Sequence, residues 1–95
     1  MQHRVVFLDR ASLQAHLRVP AFAHVWQDYP GSGVSDLPAR LSDATVAITN
    51  KVPLRSDTLR QLPKLKMIAV AATGYDVVDV DYCRANGIAV SNIRN

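Results

Sequence analysis

The stretch from Met67 to Asn92, MIAVAATGYDVVDVDYCRANGIAVSN, constrains the fold more than any other part of the chain. Ile68, Val70 and Ala71 form a short apolar run that suits a buried strand. Thr73-Gly74-Tyr75-Asp76 breaks that run. Asp79 is placed to cap a helix through Tyr82, Cys83 and Ala85. Asn86-Gly87 ends that helix as a left-handed cap would, and Ile88, Ala89 and Val90 begin the next buried strand. A loop at the carboxyl end of a parallel strand, feeding a helix N-terminus, is where open α/β sheets bind ligands. Backbone N–H groups around Gly74 are therefore positioned to hold a carboxylate.

The same alternation runs through the rest of the chain. Arg4 to Leu8 is continuous enough in apolar residues for a first strand buried on both faces. Asp9 or Ser12 is placed to cap a short helix carrying Leu13 and Leu17, which Pro20 halts. His24 to Tyr29 reads as a second strand, and Pro30-Gly31-Ser32-Gly33 as a loop. Ser35 or Asp36 starts a helix through Leu37 and Leu41, and Ala44 to Thr49 is a third strand. Asn50-Lys51-Val52-Pro53 is a loop at that strand's carboxyl end. Ser56 or Asp57 caps a helix with Leu59 and Leu62, ended near Pro63. Lys66 to Ala71 is the fourth strand and Ile88 to Ser91 the fifth. Repeats of about 20 residues fit right-handed crossovers. The expected fold is α/β: a flavodoxin-like five-stranded parallel sheet, order 2-1-3-4-5, with helices on both faces.

Composition narrows the class. Ninety-five residues make one domain, and a hydrophobic share of 48% is that of a globular chain. No apolar run approaches the roughly 20 residues that cross a bilayer, and the N-terminus has no signal-peptide core. A single cysteine forms no internal disulfide, which together with the missing signal points to the cytoplasm. The net charge of +3 is spread from Arg4 to Arg94 without a basic stripe, so neither nucleic acid nor membrane is an expected partner. His3, His16 and His24 lie far apart and share no metal-ligand spacing. Asp79 and Asp81 are read as helix-start carboxylates, Cys83 as a core thiol and Trp26 as a packing residue.

Four segments carry a family resemblance: VFLDR at Val6–Arg10, AITNKVPL at Ala47–Leu54, TLRQLPKLKMIAVAATGYDVVD at Thr58–Asp79 and CRANGIAVSNIRN at Cys83–Asn95. They resemble the N-terminal substrate-binding (catalytic) domain of the D-isomer-specific 2-hydroxyacid dehydrogenases, most of all the glycerate dehydrogenase, or hydroxypyruvate reductase, branch. The resemblance implies an NAD- or NADP-dependent parent oxidoreductase that interconverts a small 2-keto acid and a D-2-hydroxy acid, such as hydroxypyruvate and D-glycerate. It implies a homodimer in which this domain closes against a cofactor domain of the same protein. It places the substrate carboxylate on the backbone amides of Thr73 and Gly74, where a missing Cβ lets the backbone turn and approach a ligand.

Lys51 and Val52, in the loop beside that glycine turn, join the expected substrate site. Lys51 acts there through its ammonium or its backbone, or else faces solvent. Tyr75 lines the cleft or packs beneath the loop, and Asp76 braces it. The family's catalytic arginine, glutamate and histidine have no counterpart in residues 1–95, which read as a fragment lacking the Rossmann cofactor domain. The chain's four glycines include GSG at Gly31–Gly33, but no third glycine follows, so no dinucleotide fingerprint is present. The chain alone is expected to bind no cofactor and to turn over no substrate. A non-enzymatic relative of the same fold, of the C-terminal-binding-protein co-repressor type, is the alternative.

Overall fold

The computed structural model describes residues 3–12, 24–71 and 77–92. Five parallel strands form one sheet: β1 His3–Phe7, β2 His24–Asp28, β3 Val46–Thr49, β4 Met67–Val70 and β5 Ala89–Asn92. Their order is β2-β1-β3-β4-β5, as the alternation predicts. The register is level across the centre, with Val5 opposite Val46, Val46 opposite Met67 and Met67 opposite Ala89. Strand boundaries differ from the sequence reading by a residue or two, the usual slack where hydrogen bonds fade at strand ends.

Alternation of side chains splits the core into two layers. Val6, Ala47, Ile68 and Val70 face one way, into a cluster completed by Leu37 and Leu41 of α1 (Leu37–Leu41), Leu59 of α2 (Ser56–Leu59) and Cys83 of α3 (Val80–Ala85). Val5, Phe7, Val46, Ile48 and Ala69 face the other way, with Trp26 and Met67 packed beside them. The helix expected around Leu13 and Leu17 lies outside the described residues.

Local chemistry sets the helix ends. The Asp79 carboxylate accepts from the Tyr82 amide at 3.0 Å, capping α3 as expected. Gly87 has φ of +73°, and the Ile88 amide reaches back to the Cys83 carbonyl at 2.9 Å. That is the 6→1 bond of a Schellman cap. α2 begins differently from the sequence expectation. Arg55, in an extended conformation, is its N-cap residue and makes no side-chain cap bond, and Ser56 and Asp57 lie inside the helix. The Arg55 carbonyl already accepts from Thr58 and Leu59, which fixes the start one residue earlier. Leu62 sits beyond α2 in a tighter turn, its amide bonded to the Leu59 carbonyl at 3.0 Å, and is still buried.

Candidate functional site

The chain leaves β1 for one side of the sheet and returns for β3 on the other. The carboxyl ends of β1 and β3 therefore flank the topological switch point, where doubly wound sheets open a crevice. In this protein a side chain fills it. Asp9, two residues beyond β1 and 4% exposed, accepts from the Asn50 amide on one carboxylate oxygen at 2.9 Å and from the Lys51 amide on the other at 2.7 Å. Such short bonds to an ionised acceptor are stronger than neutral ones. The next amide is also committed: Val52 N–H donates to Thr49 Oγ1 at 3.0 Å, and that hydroxyl donates to the Val52 carbonyl at 2.8 Å.

Three consecutive amides of the Asn50–Val52 loop thus have acceptors inside the protein. Of the sequence-stated roles for Lys51, the backbone N–H is engaged and the exposed side chain is what the loop presents to solvent. Val52 is buried beneath it.

The same loop is tied to both flanks of the glycine segment. The Ala71 amide, just past β4, donates to the Thr49 carbonyl at 2.8 Å. On the far side, Leu54 N–H donates to the Val77 carbonyl at 2.6 Å, Asp79 N–H donates to the Leu54 carbonyl at 3.0 Å, and Leu54 pairs with Val78 as a parallel bridge. Thr73, Gly74, Tyr75 and Asp76 lie outside the described residues. The structure brings Lys51 and Val52 together with the segments bordering those residues, and the linkage runs through backbone hydrogen bonds rather than loop proximity alone.

Other candidates have ordinary roles. The Gly31–Gly33 turn follows the edge strand β2. Its Gly33 amide donates to Asp36 at 2.9 Å, and its Gly31 carbonyl accepts from Arg40 at 2.7 Å. Arg40 also bonds Ser32 Oγ and lies 4.0 Å from the Tyr29 ring centre, while Ser32 Oγ donates to the Leu8 carbonyl. This turn is clamped by its own side chains. Cys83 is fully buried; burial, and then the Asp79 charge, push its thiol pKa up, so it stays protonated and a poor nucleophile. Trp26 packs on the smaller core layer and donates to Asp28 at 3.0 Å. Among the described residues no group of three His, Cys, Asp or Glu side chains gathers to hold a metal, and no helix is long and apolar enough to cross a membrane.

A cavity of about 230 Å³, lined in part by Leu62, Lys66, Tyr82 and Gly87, opens at the opposite, amino end of the sheet. The loop tie that sequence reasoning missed is Asp9, read there as a helix cap and found instead to hold the Asn50 and Lys51 amides. Its signal was a lone carboxylate directly after the fully apolar VVFL, where a strand delivers it to the carboxyl edge.

Residues 5–95 match the family model of the D-isomer specific 2-hydroxyacid dehydrogenase catalytic domain. The chain is 52% identical to a glycerate dehydrogenase of Methylorubrum extorquens over 96 aligned residues, covering 100% of this chain and 31% of that protein. It is 40% identical to a hydroxypyruvate reductase of Blautia hydrogenotrophica over 55 residues, covering 58% of this chain and 17% of that one. The NADPH-dependent glyoxylate/hydroxypyruvate reductase of Sinorhizobium meliloti, solved with citrate, superposes with a TM-score of 0.69 at 22% identity, over 99% of this chain and 30% of that one. The chain spans about a third of the length of its glycerate dehydrogenase relative.

Proposed function

The chain belongs to the D-isomer specific 2-hydroxyacid dehydrogenase family, and from that premise we propose that it is the substrate-binding part of a longer NAD(P)-dependent oxidoreductase interconverting hydroxypyruvate and D-glycerate. The observation that supports this reading is the backbone linkage of the Thr49–Leu54 segment to Ala71 and Val77, the residues that flank the Thr73–Asp76 segment in the sequence. In the proposed site the amides of Thr73 and Gly74 take the substrate carboxylate, Lys51 adds a positive charge at the rim, and Val52 and Tyr75 shape the wall. The similarity to a glycerate dehydrogenase supports the substrate pair, since oxidising the 2-hydroxyl of glycerate yields hydroxypyruvate.

Bound nicotinamide would supply the hydride. In this reading its site belongs to a separate domain of the parent, a cytoplasmic homodimer. The general acid–base pair and the substrate-polarising arginine belong there too. Residues 1–95 alone then bind substrate weakly and turn none over.

The test expresses the chain with its downstream coding sequence and follows oxidation of NADH and NADPH with hydroxypyruvate and glyoxylate. Turnover by the longer protein, fastest with hydroxypyruvate, and none by residues 1–95 is the expected result. A longer protein inert toward both acids with both nucleotides would refute the reading, as would turnover by the short chain.

A further inference from the structure

We propose that Asp9 is a positioning residue for the substrate site: it occupies the amide nest of the Asn50–Lys51 loop from within, so that the loop meets a 2-keto acid anion only through the Lys51 ammonium. This rests on the functional reading above and adds a division of labour to it. Successive backbone N–H groups that converge at a strand end form a natural anion seat. Two such groups, from Asn50 and Lys51, converge at the switch point, and the buried Asp9 carboxylate takes both, one on each oxygen. A substrate carboxylate cannot use those donors while Asp9 holds them, and its own negative charge is repelled from the crevice. The anion is directed away from the β1–β3 crevice. The same two bonds fix the backbone from which the exposed Lys51 side chain projects, and Thr49 closes the loop behind it.

The sign of one substitution separates this role from a passive buried charge. Asp9→Asn keeps the side-chain volume but turns one acceptor into a donor facing an amide, and it removes the negative charge. Were Asp9 only a charge near the site, its neutralisation would leave anion binding unchanged or tighten it. A positioning role predicts weaker binding, because Lys51 loses its support.

The experiment titrates the 95-residue chain with hydroxypyruvate, followed by nuclear magnetic resonance at the backbone amides and the Lys51 side chain. The wild-type Asn50 and Lys51 amides are expected to exchange with solvent on the order of a hundredfold more slowly than unstructured ones, despite their surface loop. Both Asp9→Asn and Lys51→Gln are expected to weaken hydroxypyruvate binding about fivefold, the size of a partly exposed ion pair. The double variant is expected to bind no more weakly than Lys51→Gln, whereas Lys51→Arg retains affinity. Unprotected Asn50 and Lys51 amides in the wild type overturn the proposal without need of any variant. So do unchanged or tighter binding by Asp9→Asn, and additive losses in the double variant. Absence of hydroxypyruvate binding to the wild type refutes the substrate reading itself, and the positioning role with it; the two failures are thereby told apart.

Discussion

Strand β3 has a threonine at each end, and the two sit in different surroundings. Thr49, its last residue, is fully buried and bonds twice to Val52. Thr45, just before its first residue, also bonds twice to one partner, accepting from the Arg4 amide at 3.1 Å and facing the Arg4 carbonyl at 3.3 Å, but in bonds open to solvent. The Thr45 hydroxyl has a further partner besides, His3 Nδ1 at 3.1 Å, so it makes more bonds than Thr49, and burial rather than bond count sets the two apart. Water replaces a lost exposed bond, whereas a buried polar group left alone bears its full desolvation cost. The carboxyl end of the sheet is therefore the place where polar side chains dictate loop geometry. At the amino end they mostly decorate a frame set by backbone and apolar packing.

The sharpest way to break this contrast is at Asp9, which holds two amides of the carboxyl-end loop. Asp9→Ala strands both donors and is expected to cost about 2–4 kcal/mol, measured by urea denaturation with two-state fitting. A loss under about 1 kcal/mol would mean that water or a rearranged loop satisfies those amides, and the contrast between the ends would fail.

The two threonines supply the comparison, with the better-bonded one, Thr45, in the open. Thr49→Val should cost about 1–2 kcal/mol, and Thr45→Val less than about 0.5 kcal/mol, under the same denaturation conditions. Equal losses would show that burial is not the governing variable.

Which of these features the sequence made visible follows from the range of the interactions. The caps at Asp79 and Gly87 were legible because each acts within four residues of itself. The strand order was legible because crossover lengths and handedness leave few alternatives. Asp9 was not: its amide partners lie 41 and 42 residues away, and only the parallel pairing of β1 with β3 brings them near. The start of α2 failed for a local reason, since Ser56 and Asp57 are both good cap types and the extended Arg55 took the position instead. Lys51 was legible as a loop residue but not by role, because whether its amide is available depends on Asp9.

Gly87 probes the amino end where backbone geometry, not side-chain bonding, sets the chain's course into β5. A methyl group added there meets no atom within 4 Å, so Gly87→Ala reports the positive φ alone. The expected cost is about 1 kcal/mol, read by thermal or urea unfolding. A much larger loss would indicate hidden packing beside the neighbouring cavity.

The smallest effect belongs to the exposed pair at the same end, Lys64 Nζ and Asp43 Oδ1, 3.0 Å apart with side chains 62% and 64% exposed. The hydrogen bond from Lys64, and then its charge, lower the Asp43 pKa from 3.8. A lowered folded-state pKa means the native state binds this proton less readily than the unfolded chain. The contribution is therefore complete above the unfolded value and fades as pH falls through the folded one. Water screens so open a pair, and its ordered side chains oppose the gain. Asp43→Asn should accordingly leave the urea midpoint nearly unchanged at neutral pH. The slight difference from wild type should vanish in high salt and again in acid below the Asp43 titration. A large, salt-resistant loss would place a strong polar tie at the amino end, and the division between the two ends of β3 would no longer hold.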